Sequence, residues 1–152
     1  MTTNIRESKG YSYSPQSFLF ARQKSTYWNQ TADVTTKDTG NSLKEIFGEI
    51  DRLSKEAPPV TELRGIQNQM AGIFLLQTSS RAGIIGQLTF ADLHGVGDTY
   101  LTNYVKNVMA VTPAQVQRMT QIYLRPDKMT LIVVGDKKTV HDQLAPWGTI
   151  AQ

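Results

Sequence analysis

Leu43, Ile46, Phe47, Ile50 and Leu53 recur at three- and four-residue intervals between Thr36 and Ala57. That spacing places all five on one stripe of an α-helix and on neither face of a strand. The spacing predicts a helix over 36–57, ended by Pro58-Pro59, which supplies no N–H to continue it. At about 1.5–3 kcal/mol for each buried large apolar side chain, the stripe can contribute around 10 kcal/mol. Any fold of this chain must place a second layer against that face.

The 152 residues suit one domain, 1–152, with a sizeable core. With 39% hydrophobic and 19% charged residues, the chain falls among folded globular proteins rather than disordered ones. No apolar run approaches the roughly 18 residues of a membrane span, so no membrane insertion is expected. No cationic segment followed by an apolar stretch opens the chain. The net charge of +3 is scattered, and Arg22 to Lys24 and Lys137-Lys138 are too small for a nucleic-acid footprint. Zero cysteine excludes disulfides and thiolate metal sites and fits exported and cytosolic proteins equally well.

Around the central helix the pattern alternates between classes. Met1 to Arg6 lacks a helix start signal and reads as the tail of a helix. From Tyr11 to Val34 the run turns to strands, with Phe18 and Phe20 on one face, a second run from Tyr27-Trp28, and Gln23-Lys24-Ser25 as the hairpin turn. Pro15 predicts an edge or a bulge near the start of the first strand. A second helix begins at an N-cap, Thr61, and carries Leu63, Ile66, Met70, Ile73 and Phe74 on one face, with Leu75-Leu76 broadening it. It is expected to be buried on more than one side. Helices follow over 80–93 and 100–108, separated by the turn His94-Gly-Val-Gly97. Thr112-Pro-Ala-Gln115 is a capping box with proline at the first helical position. Met129 to Val134, apolar and β-branched, reads as a buried central strand, and a short helix over 139–144 closes the pattern. The order predicts an α+β fold, a mostly antiparallel sheet with helices packed on one face.

Arg6-Glu-Ser-Lys-Gly-Tyr-Ser-Tyr13 sets an arginine and a tyrosine seven positions apart across a Lys-Gly step. The segment resembles the R-x-x-x-G-x-x-Y signature in the C-terminal, zinc-free domains of the pitrilysin/insulinase family of zinc metallopeptidases. The likeness continues in order through Val34-Thr35-Thr36, the long helix, Val111 to Val116, Tyr123 to Asp127 and Ile132 to Asp136, nearly the whole chain. The resemblance implies a pitrilysin/LuxS-like domain, of bacterial origin, whose first strand and most of its first helix precede this sequence. It implies the substrate-binding half of a zinc-dependent endopeptidase, a hydrolase that encloses unfolded peptides. Arg6 and Tyr13 would make the substrate and oxyanion contacts. The expected partners are a homologous zinc-bearing domain or subunit and an unfolded peptide, with no nucleic acid. Zinc is expected only in that other half, with no cofactor here, and the isolated chain is expected to be inactive. The periplasm or cell envelope is preferred to the cytoplasm. A non-proteolytic structural or assembly homologue of the same fold is the alternative.

Other residues offer less. Tyr11 competes with Tyr13, but the seven-residue spacing favours Tyr13. The inverzincin H-x-x-E-H motif, whose glutamate is the general base, is absent. The chain's two histidines, His94 and His141, stand far apart. Asp92, His94 and Asp98 could be drawn as a metal cluster, and His141-Asp142 as a pair, yet such residues at helix ends are ordinarily solvated. Gly135-Asp-Lys-Lys-Thr139 lacks the spaced glycines of a phosphate loop. The aromatic hairpin could stack single-stranded bases, but aromatic hairpins more often pack under helices. Arg22 and Lys24 border a strand that could pair with an extended peptide.

Overall fold

The computed structural model describes residues 2–97 and 99–149. The chain opens with π-helical turns at Thr2–Ser8, followed by the antiparallel hairpin β1 (Gln16–Ala21) and β2 (Thr26–Thr31). Among the described residues six α-helices come next: α1 (Thr39–Lys55), α2 (Val60–Gln77), α3 (Arg81–His94), α4 (Thr99–Ala110), α5 (Pro113–Tyr123) and α6 (Lys137–Leu144). The fold is α+β, with its sheet antiparallel, as the pattern predicts.

Helix α1 is the hub. A 3-10 turn at Thr36–Asp38 leads into it, and Leu43 and Ile50 of the predicted stripe are buried, with Ile46, Phe47 and Leu53 half-buried. Leu43 meets Val140 and Leu144 of α6, and Phe47, Val133 and Trp147 close around them. The Phe47 and Trp147 rings stack at 4.9 Å between centroids, an arrangement that adds to area burial. Gln143 of α6 clamps the start of α1: its side-chain oxygen accepts from the Gly40 N–H at 3.0 Å, and its amide donates to the Thr36 carbonyl at 3.0 Å. At the other end, Gln121 of α5 donates to the Ser54 carbonyl at 2.7 Å, meeting one of the carbonyls a helix end leaves unpaired.

Local signals hold at several junctions. Thr112 and Gln115 form the reciprocal capping box that starts α5. Ser80 caps α3 by accepting from Gly83 N–H. That glycine cannot be replaced without movement, because a Cβ there would lie 1.7 Å from the Gln77 carbonyl oxygen. Gly95 ends α3 in the left-handed conformation, φ 61°. The turn from Arg22 to Ser25 closes the hairpin through an Arg22 N–H bond to the Ser25 carbonyl at 2.8 Å.

Three expectations are corrected. Helix α2 starts at Val60 with Pro59 at the capping position, so Thr61 lies within the first turn. Its apolar residues are not buried on more than one side: Ile66, Met70, Ile73, Leu75 and Leu76 are all exposed, and the buried residue is Gln67. Packing, not periodicity, decides this. Contact with α4 runs along the line where Gln67 donates to the Val108, Met109 and Val111 carbonyls, leaving the remaining faces open. Met129 to Val134 is not a central strand. It runs without helix, turn or ladder, with Ile132 80% and Val134 95% exposed, because no neighbouring strand among the described residues lies beside it. Strand β1 is likewise exposed along its whole length. Its Phe20 stacks on Tyr27 across the hairpin at 4.9 Å.

Leu43→Ala should cost about 2–5 kcal/mol in urea unfolding, the range for emptying a packed leucine site. Ile132→Ala, on the exposed run, should change stability by less than about 0.5 kcal/mol. Similar losses at both positions would contradict this placement of the core.

Candidate functional site

Arg6 and Tyr13 are brought together by three local devices. The first is the opening helix. Lys9 N–H bonds to the Asn4 carbonyl at 3.0 Å, a π-type spacing, and Arg6 lies in its last turn. Ile5, fully buried, anchors the helix against the body of the protein. Asn4 donates to Glu45 at 2.8 Å and to Glu49 at 3.0 Å on α1, and Lys9 pairs with Glu45 at 3.7 Å.

The second device is Gly10. Its φ of 65° is left-handed, a conformation glycine adopts without steric cost, and it turns the chain from helix to strand. Tyr11 N–H then reaches back to the Ile5 carbonyl at 3.0 Å, and the Tyr11 carbonyl accepts from Thr35 N–H at 3.1 Å. Tyr11 is therefore held by its backbone between the helix and the segment after β2.

The third device is a bulge. Ser12 bridges Val34, while the regular ladder begins at Gln16 opposite Thr31. Three residues, 13–15, thus face two, 32–33, and the surplus residue lies beside Pro15, which has no ladder donor. This is the irregularity Pro15 signals in sequence. The Ser14 hydroxyl spans it, donating to Asp33 at 3.2 Å.

Tyr13 emerges from the bulge 81% exposed, with the Arg6 guanidinium carbon 4.5 Å from its ring centroid. A guanidinium over an aromatic face is held by the ring quadrupole, worth about 0.5–1 kcal/mol at an exposed site. The contact uses the guanidinium's flat face and leaves its in-plane N–H donors available. Among the described residues, no side chain or backbone carbonyl accepts from the Arg6 guanidinium, and the Tyr13 hydroxyl likewise has no partner. The pair borders an open cleft of about 550 Å³, shared with Glu7, Tyr11, Asp33 and Thr35. Glu7, Asp33 and Thr35 were not singled out from sequence. The hairpin register, carried back one bulge to Ser12, is the signal that places 33–35 beside 11–13.

Burial works to raise the Glu49 carboxyl, but hydrogen bonds from Arg52 and Asn4 outweigh it and hold it below its ordinary 4.5. Glu49 is thus an ionised brace under the helix that carries Arg6.

The remaining candidates stay apart. The His94 ring packs on Phe90 at 4.2 Å between centroids, and Asp98, the third member of the drawn cluster, lies outside the described residues. His141 Nδ1 is 3.2 Å from Asp142 Oδ1 on α6. Among the described residues no three or more histidines and carboxylates gather to hold a metal ion, so they do not fit a zinc centre. Asp136 caps α6 through the Thr139 hydroxyl and Lys138 N–H, bonds that lower its pKa, so the Gly135–Thr139 loop is a helix start. Arg22 lies 5.9 Å from the Tyr27 ring centroid at the hairpin turn, and Lys24 is exposed there.

A helix end, a glycine turn and a bulged hairpin over an α-helical body together form the cleft. Among solved structures, the chain is similar to one described as the inactive domain of an M16 peptidase from Pseudomonas fluorescens. The TM-score is 0.73 at 22% identity, covering 81% of this chain and 29% of that one. At that identity the likeness shows the fold. No protein-family model matches the chain. No curated protein matches it either.

Because Glu49 has a lowered pKa in the folded chain, its contribution to stability is full above about pH 4.5 and is lost as the pH falls below that value. Glu49→Gln should lower the urea midpoint at pH 7, and the gap to wild type should shrink on acidification to pH 3. A gap independent of pH would contradict the brace.

Proposed function

We propose that this chain is the substrate-binding half of a zinc-dependent metalloendopeptidase, the zinc-free domain that faces a homologous zinc-bearing domain or subunit across an enclosed peptide. One observation carries the reading. Arg6 is stacked on Tyr13 at the mouth of an open cleft, with the donors of both side chains unclaimed among the described residues. The inactive M16 peptidase domain that shares this fold supports the reaction class. The matched region spans 29% of that chain's length.

Peptide hydrolysis places negative charge on the scissile carbonyl oxygen. The Arg6 guanidinium and the Tyr13 hydroxyl, both donors, stabilise that charge or hold the neighbouring backbone carbonyls of an extended substrate. Stacking on Tyr13 limits Arg6 to few orientations before substrate arrives, which lowers the ordering cost of binding. Zinc, held by the other half, would supply the activated water. This chain's part is to receive and orient the peptide, and alone it hydrolyses nothing.

The competing reading is a non-proteolytic assembly homologue of the same fold. In the complete enzyme, with its zinc half present, Tyr13→Phe or Arg6→Ala should reduce kcat by roughly 10²–10³, the range for losing one oxyanion donor. An unchanged kcat would remove the catalytic role, and absence of peptidase activity in the intact wild-type protein would favour the assembly reading.

A further inference from the structure

Helix α3 is packed along one side only. Ala91 is buried and Gln87, Phe90 and His94 are half-buried, on the side that meets α4, where the Phe90 ring lies 6.0 Å from Tyr100. A second stripe runs Arg81, Ile85, Leu88, Asp92, at intervals of four, three and four. That is the spacing of the seam by which two α-helices pack lengthwise. Ile85 is 63% and Leu88 52% exposed, Ile84 is exposed beside them, and both charged residues at the ends are exposed.

Those end charges say what covers the stripe. Arg81 is the first residue of α3 and Asp92 lies in its last turn. An isolated helix favours the reverse, anions at its N-terminus and cations at its C-terminus. Nothing inside the molecule offsets this. Neither residue forms an ion pair among the described residues, and the helix holds them about 16 Å apart along its axis.

A second copy of α3 laid antiparallel supplies what both lack. With the register centred between Gly86 and Gln87, Arg81 of each copy meets Asp92 of the other. Ile85 meets Leu88 in the two layers between. Each arginine then sits beside the other helix's C-terminus and each aspartate beside its N-terminus, so charges that oppose their own dipole suit the neighbour's. Parallel pairing would set Arg81 against Arg81 and Asp92 against Asp92, a like-charge juxtaposition.

We infer that α3 pairs antiparallel with α3 of a second copy, forming a two-fold dimer through Arg81, Ile85, Leu88 and Asp92. A seam this short buries less than a standard interface, so the dimer is a weak, concentration-dependent one.

Sedimentation of the full chain should show a mass that climbs from monomer toward dimer with concentration. Arg81→Asp places four carboxylates at the seam, and Asp92→Arg places four guanidinium groups there. Each should weaken dimerisation by at least about tenfold. Both substitutions suit the dipole of α3, so the helix is kept. An equimolar mixture of the two variants should associate again, because the carboxylates of one then face the guanidinium groups of the other. Leu88→Glu, at the centre of the seam, should remain monomeric. A wild-type chain that stays monomeric up to about 1 mM would overturn the inference. So would a mixture that associates no better than either variant alone.

Discussion

Helix α1 carries two loads on different faces, and the cleft exists because both are carried by one rigid element. Its apolar face, through Leu43 and Phe47, joins the core that α6 and Trp147 complete. Its Glu45 and Glu49 accept from Asn4 and pin the opening helix whose last turn presents Arg6. A seven-residue π-helical segment has little stability of its own. Burial of Ile5 and these polar contacts with α1 hold it in place. Arg6 is therefore positioned by long-range contacts, although only seven positions separate it from Tyr13.

Tyr13 is positioned differently. Its side chain owes its direction to the left-handed Gly10 and to the surplus residue at Tyr13-Ser14-Pro15. Both features sit in the short segment between a helix and a ladder, where backbone irregularity can aim a side chain without disturbing the core. The cleft is thus made where two kinds of order meet. Helical anchoring supplies the cation, and a bulged hairpin supplies the phenol.

Much of this was legible in residues with unambiguous local chemistry. The stripe from Leu43 to Leu53, the capping box at Thr112 and Pro15 at the bulge each act through their nearest neighbours, so sequence reveals them. The juxtaposition of Arg6 and Tyr13 was visible only through resemblance, since helix end, glycine and strand must act together to bring them to 4.5 Å. The two failures over burial share one physical cause. Met129 to Val134 and the broad face of α2 have compositions that demand burial, but burial requires a neighbour, and composition does not supply one. Asp33 entered the cleft through the Ser12–Val34 bridge, a pairing that depends on the bulge.

The most direct test of peptide reception at this cleft is a titration of the full chain with an extended, unlabelled peptide, followed by the side-chain Nε–H resonance of Arg6 in ¹⁵N-labelled protein. The account predicts a saturable shift of that resonance, with little change in the Trp147 indole of the α1–α6 core, and loss of the shift in Tyr13→Ala. Peptide binding that leaves Arg6 unmoved while shifting residues of the β1–β2 hairpin would contradict it.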